Sequence, residues 1–259
     1  MTRSIIAVAF ASVFAALTGV SLADDAHQYY EVRSYLLSEK SDTKAIDTYL
    51  EDALLPALQR QGIGPIGVFT NAPSDESGSP RIVVVIPYDS PNQIATVKKN
   101  VAADADYQSA AEPLLGRQKN DAAYDRIQSE LLVAMDCMPK LNVTSESLSN
   151  SNRVYELRLY ESPTEKLGDL KVDMFNNGEV PIFYDCGIQP VFIGQGLIGP
   201  QTPNLTYLTT YPSDAARLKA WEAFKVNPDW QVLKVVEKYK GTVSKIDKFV
   251  LMPKPYSQM

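Results

Sequence analysis

Histidine is almost missing from this chain. The single copy, His27, stands ahead of the first strand pattern, so a histidine-ligated haem, a histidine-rich zinc centre and a Ser-His-Asp triad have no residues to be built from. Cysteine is nearly as scarce. Cys137 and Cys186 lie in different halves and allow one disulfide at most, provided their Cα atoms come within ~7 Å. Basic residues are outnumbered and scattered: the net charge is −6 and the pI about 5.0, which leaves no electrostatic footprint for nucleic acid. A D-x-D-x-D loop is lacking too, and neither a metal nor a cofactor is expected. Long apolar runs are absent beyond residue 23, so nothing after that point is expected to span a membrane.

Residues 1–23 differ from the rest. One basic residue, Arg3, precedes an apolar core of ~15 residues, shorter than the ~20 a spanning helix needs, and small residues Ser21 and Ala23 precede Asp24. This is the layout of a signal peptide cleaved after Ala23, which predicts a secreted or periplasmic protein with a mature net charge of −7. The rival reading is an uncleaved anchor. In an oxidising compartment a Cys137–Cys186 disulfide is one available arrangement, and Asn142-Val-Thr and Asn204-Leu-Thr read as glycosylation sequons in a eukaryotic pathway.

The chain is written twice. A shift of 125 residues aligns Tyr30, Glu31, Arg33 and Tyr35 with Tyr155, Glu156, Arg158 and Tyr160, and then Pro56, Gly62, Ile63 and Pro65 with Pro181, Gly187, Ile188 and Pro190. After a loop two residues longer in the first half, Asp106-Tyr107-Gln108 meets Asp229-Trp230-Gln231, and both halves end on Met-Pro-Lys. A tandem repeat follows, with domains at 24–140 and 153–259 and a flexible, serine- and asparagine-rich linker at 141–152.

Each copy reads as strand, helix, two strands, helix, strand. Period-two alternation marks the first strand, Gly62 and Gly187 sit where a helix would end, and Ser90-Pro91 and Ser213-Asp214 open the second helix. The order β-α-β-β-α-β is the ferredoxin-like unit. One such sheet leaves a bare apolar face, so the expected fold is α+β, with two repeats packed face to face as an intrachain pseudo-dimeric α/β barrel.

Two central strands then carry charges. Alternation places Glu31, Arg33 and Tyr35 on one face, and Glu156, Arg158 and Tyr160 on the matching face of the second copy. The opposite, more apolar set fits under the helices, which points the charged set into the barrel interior. There the pairs are either structural salt bridges bonded to the Tyr35 and Tyr160 hydroxyls or the polar floor of a ligand pocket. Gly194-Gln-Gly196-Leu-Ile-Gly199 matches a phosphate-loop pattern by accident, since Pro200 and Pro203 follow where a helix must begin.

Tyr155-Glu156-Leu157-Arg158-Leu159-Tyr160, A-W-E-A-F-K-V-N-P-D-W at 220–230 and L-M-P-K-P-Y-S at 251–257 together resemble the NIPSNAP domain family of the dimeric α/β-barrel superfamily. The first copy departs from the pattern, with Lys98 in place of Trp221 and Tyr107 in place of Trp230. The resemblance implies the fold; it brings no activity that transfers residue by residue. Relatives in the superfamily include cofactor-free monooxygenases, isomerases and haem enzymes, analogies of fold alone. Trp221 and Trp230 read as helix packing or as an aromatic pocket. Two functions remain: a binding or structural module for a small apolar or aromatic ligand, without catalysis, or a cofactor-independent enzyme. In the enzyme, Arg33 or Arg158 would stabilise an oxyanion and Glu31 or Glu156 would act as base. Further homo-oligomerisation is left open.

Overall fold

The computed structural model describes residues 27–259, and the signal-peptide reading of residues 1–23 lies outside them. Eight strands, β1 (Tyr29–Leu36), β2 (Gly67–Asn71), β3 (Arg81–Tyr88), β4 (Arg126–Ala134), β5 (Val154–Glu161), β6 (Gln189–Ile198), β7 (Asn204–Tyr211) and β8 (Lys245–Pro253), close into a barrel. Around it the order is β1-β3-β2-β8-β5-β7-β6-β4, antiparallel at every seam. The fold is α+β, with helices outside the barrel. In this order β1 and β5 stand diametrically opposite.

The helices share their logic between the halves. α1 (Thr43–Tyr49) runs through a π-helical turn, Leu50–Leu54, into α2 (Leu55–Arg60). Another pair of helices, α3 (Pro91–Ala103) and α4 (Ala105–Leu115), follows β3. After a short α5 (Ser145–Ser149), α6 (Glu165–Met174), the π turn Phe175–Glu179 and α7 (Val180–Asp185) follow β5, and α8 (Asp214–Val226) and α9 (Pro228–Leu233) follow β7. Each π turn precedes a proline, Pro56 or Pro181, which cannot donate to the carbonyl four residues back and crowds it; widening the turn relieves both. α2 and α7 stop at Gly62 and Gly187, whose φ of 73° and 79° only glycine adopts freely. Backbone bonds from Gly62 to Gln59 and from Ile63 to Leu58, repeated from Gly187 to Tyr184 and from Ile188 to Phe183, close the helix ends. Ser90 and Ser213 cap α3 and α8 with their hydroxyls.

Three cores result. Tyr30, Val32, Phe69, Val83, Val85, Leu132, Tyr155, Leu157 and Phe192 fill the barrel interior. Separate apolar layers lie between barrel and helices, one in the first half around Tyr35, Leu50, Ile86 and Val97, the other in the second half around Tyr160, Phe175, Phe183 and Phe224.

This reverses the expected strand orientation. Tyr30, Val32, Tyr155 and Leu157 point inward, while Glu31, Arg33, Tyr35, Glu156, Arg158 and Tyr160 face the helices. The physical reason is that an eight-stranded barrel is just wide enough to be filled by its own side chains and offers charges no water and few partners, whereas a helix layer brings side-chain donors and has edges open to solvent.

The linker also differs from expectation. Thr144 accepts from the Ser147 amide and starts α5, so residues 145–149 are a helix rather than a patternless connection. Cys137 and Cys186 are free thiols, and burial pushes the Cys137 thiol up to about 11. The Asn204 amide is buried in the barrel against Glu130, which closes that sequon to modification in the folded chain. Among the described residues no helix is long and apolar enough to cross a membrane.

The interior does hold one polar cluster that alternation did not reveal. Glu130 is buried at one end of the barrel, bonded by Asn204 and by the Thr206 hydroxyl at 3.0 Å, with no cation paired to it among the described residues; Arg81, across a 40 Å³ cavity, bonds Ser79 and lies over the Phe249 ring. Burial raises the Glu130 carboxyl above its ordinary value, although Asn204 and Thr206 pull the other way. A carboxyl raised on folding contributes fully below its unfolded pKa, and that contribution is lost as pH rises through the folded pKa. Glu130→Gln is therefore expected to be more stable than the wild type at neutral pH. Urea denaturation across a pH series should show the advantage shrinking towards acid; an advantage that grows towards acid contradicts the assignment.

Candidate functional site

The two charged phrases occupy corresponding positions in the fold. Glu31 pairs with Ile86 and Arg33 with Val84 across β1 and β3; Glu156 pairs with Thr209 and Arg158 with Tyr207 across β5 and β7, in the same register. α3 and α8 are each 13 residues long and begin on the same step. Lys98 thus stands where Trp221 stands, Val101 where Phe224 stands and Ile94 where Arg217 stands. Tyr107 in α4 likewise matches Trp230 in α9.

In the second half both members of the pair are engaged by side chains of the same half. Glu156, 1% exposed, accepts from Arg158 Nη1 at 2.8 Å on one oxygen, and from Arg217 Nη1 at 2.8 Å and Trp221 Nε1 at 3.0 Å on the other. The Arg158 guanidinium lies 4.2 Å from the Trp221 ring centroid, a cation–π contact. Burial opposes the charge on Arg158, but Tyr207, Tyr160 and Glu156 outweigh it and hold the guanidinium above its ordinary value. One donor, Nε, is buried without a partner. The Tyr160 hydroxyl accepts from Tyr207 at 2.8 Å, and the Arg158 guanidinium lies 5.5 Å from the Tyr160 ring centroid. Trp230 stacks on Phe224 with centroids 4.5 Å apart, so both tryptophans are packing residues here.

In the first half the same place is partly vacant. Arg33 Nε and Nη2 both donate to one oxygen of Glu31, at 3.0 and 2.9 Å, and Ser129 donates to it at 3.1 Å. The other Glu31 oxygen has one long contact, 3.5 Å from the Tyr88 hydroxyl. Arg217 has become Ile94, and Trp221 has become the exposed Lys98. A 150 Å³ cavity opens beside the guanidinium, walled by Arg33, Leu54, Ile86, Tyr88, Val97 and Tyr107. The Tyr107 hydroxyl is bonded to that of Tyr49 at 3.0 Å. Burial pulls Arg33 down, yet Glu31 and Tyr35 together more than offset it and hold the guanidinium above its ordinary value. Tyr35 turns to the same face and packs edge-on against Tyr124. The aromatic pocket expected beside the tryptophans is not where the cavity opens: Trp221 and Trp230 pack against Phe224, and the opening lies in the half that lacks them.

A larger cavity, 630 Å³, lies between α5 and one end of the barrel. Several of its polar groups are occupied in holding residues 144–153 against the barrel. Ser147 bonds Thr210, Asn150 bonds the Pro212 carbonyl, and Arg153 bonds the Tyr155 hydroxyl and the Leu148 and Asn150 carbonyls. None of the expected site residues lines it.

The second helix layer carries a further pair that was not anticipated. Lys171 Nζ lies 2.7 Å from Glu179, both side chains almost fully buried, with the Phe175 ring 4.8 Å from the ammonium. The signal was present in the sequence, since Lys171, Met174 and Phe175 share one helical face and a lysine interrupts it. The corresponding residues of the first half are Ile46 and Leu54, both buried. A buried ion pair gains little over a well-packed apolar pair, but removing one partner strands a charge. Glu179→Leu alone is expected to cost about 3–5 kcal/mol. The double variant Lys171→Ile/Glu179→Leu, which copies the first half, should unfold in urea at or above the wild-type midpoint.

Residues 155–258 match the NIPSNAP family model. No curated protein matches the chain. Among solved structures, a candidate monooxygenase of Fusobacterium nucleatum subsp. nucleatum is similar with a TM-score of 0.57 and 11% identity, over 88% of this chain and 92% of its own. A candidate monooxygenase of Lactobacillus acidophilus gives 0.52 and 10%, over 88% and 94%. An uncharacterised NIPSNAP-like domain protein from Burkholderia xenovorans is 16% identical over 41% of this chain and 90% of its own, with a TM-score of 0.38. Identities this low carry the fold alone, and only from the first two structures, whereas the family model addresses the sequence directly: over residues 155–258 the chain is similar to NIPSNAP proteins.

Proposed function

We propose that the protein is a small-molecule-binding module whose site is the 150 Å³ cavity beside Arg33, the partner of Glu31, in the half of the chain outside the matched segment. The observation that carries this reading is the juxtaposition of a cavity with a buried, charged hydrogen-bonding pair. Small-molecule sites are mostly apolar hollows with a few placed polar groups, and Leu54, Ile86 and Val97 around Arg33 fit that description on a small scale. The catalytic alternative finds less to work with. Both oxygens of Glu156 are engaged, one by Arg158 and the other by Arg217 and Trp221, and at 1% exposure the carboxylate is closed to a substrate.

The proposal extends to the architecture. The element order, the matching strand registers and the two π turns before Pro56 and Pro181 support an origin by duplication of a ferredoxin-like unit, with a second domain from 153 and a linker at 141–152. The layout of residues 1–23 supports export after cleavage at Ala23.

Val101→Phe/Lys98→Trp installs in the first half the side chains that fill the second. Native mass spectrometry of gently purified protein should show a small-molecule adduct on the wild type and none on the folded double variant. Equal adducts on both would place binding elsewhere.

A further inference from the structure

The second half of the chain shows what the first half's cavity is shaped to receive. The same glutamate and arginine, in the same register, meet an indole in one half, whereas in the other a cavity is lined by Arg33 and Tyr88, the two residues that contact the separate oxygens of Glu31. Trp221 does two things for its pair. Its ring covers the Arg158 guanidinium at 4.2 Å, and its N–H donates to the Glu156 oxygen that Arg158 leaves free. Arg33 and Glu31 lack both. No aromatic ring lies over Arg33 among the described residues, and the second Glu31 oxygen has only the 3.5 Å contact from Tyr88. Lys98, which takes the tryptophan's place, is exposed and has no ion-pair partner among the described residues.

Building on the binding site proposed above, the geometry points to a specific class of ligand: a planar aromatic of one or two fused rings that stacks on Arg33 and directs an N–H or O–H donor to Glu31. Three physical requirements converge. An apolar cavity of about 150 Å³ is known to admit benzene, so an indole-sized bicycle is near the upper limit. A guanidinium held charged in a half-buried place favours the face of a ring. A carboxylate oxygen with one long contact gains most from a donor, because hydrogen bonds to ionised acceptors are stronger than neutral ones. A ring with only acceptor groups meets none of the third requirement and faces a carboxylate unprotected. Selectivity for the donor follows, since a ligand without it leaves the buried oxygen unsatisfied.

The test uses the unmodified full chain and two isomeric probes of equal volume, 3-methylindole and 1-methylindole. The first keeps the N–H and the second has lost it. Isothermal titration calorimetry is expected to give at least tenfold tighter binding of 3-methylindole, with amide shifts in heteronuclear spectra centred on Tyr88 and Val97. Lys98→Trp, an exposed helix position, should abolish the heat without changing the circular dichroism. Equal affinity for both isomers, with shifts at the same residues, overturns the ligand class while leaving the site in place. Absence of binding by either isomer also overturns the class, and the adduct comparison of wild type and filled variant then decides independently whether the cavity binds anything. Binding with shifts confined to residues of the second half overturns the assignment to Arg33.

Discussion

A carboxylate and a guanidinium buried under a helix layer have to be completed by something. On β1 and β5 a glutamate and an arginine, two residues apart, are placed where water is largely excluded, and the cost of that placement is offset only when most lone pairs and N–H groups find partners. Much of the sheet–helix packing can be understood from this demand. In the second half, α8 answers it with Arg217 and Trp221, and Phe224 and Trp230 close the layer behind them. In the first half α3 sends Ile94 and Lys98 to the same positions, and the layer stays open. One chain thus holds a completed and an uncompleted version of a single arrangement on opposite sides of its barrel.

The barrel makes this asymmetry affordable in structural terms. Its interior is a continuous apolar core drawn from both halves, so stability does not rest on either helix layer alone. Each layer is therefore free to diverge. The Lys171–Glu179 pair against Ile46 and Leu54 shows the same freedom, with polar and apolar solutions at equal positions. Both sit beside the π turns, where the widened helix leaves room for either.

The strands, the helix ends at Gly62 and Gly187 and the serine caps were legible because each rests on a local rule: alternation, a positive φ or a side chain bonding its own helix. The closure into a barrel was legible from the unpartnered sheet face. The direction of the charged strand face was not. Composition ranks Tyr30 and Val32 against Glu31 and Arg33 correctly as more apolar, yet which of two covered faces is the drier depends on the width of the closed barrel and on what the helices carry. That information resides in α8, sixty residues from Glu156, and no periodicity connects them. The site was half legible for the same reason. Lys98 and Tyr107 were visible as departures from the tryptophan pattern, but a departure reads as loss until the space left behind is seen beside a charged pair. Glu130 was hidden because its partners, Asn204 and Thr206, come from a strand two positions away around the barrel.

A buried glutamate–arginine pair of this kind is completed by a donor-bearing ring, and in the second half that ring is part of the chain. In Trp221→Gly the pair beside Arg158 loses its indole, and free indole added to the variant should recover much of the lost resistance to urea, stabilising the variant more than it stabilises the wild type. An indole effect no larger in Trp221→Gly than in the wild type would contradict the account.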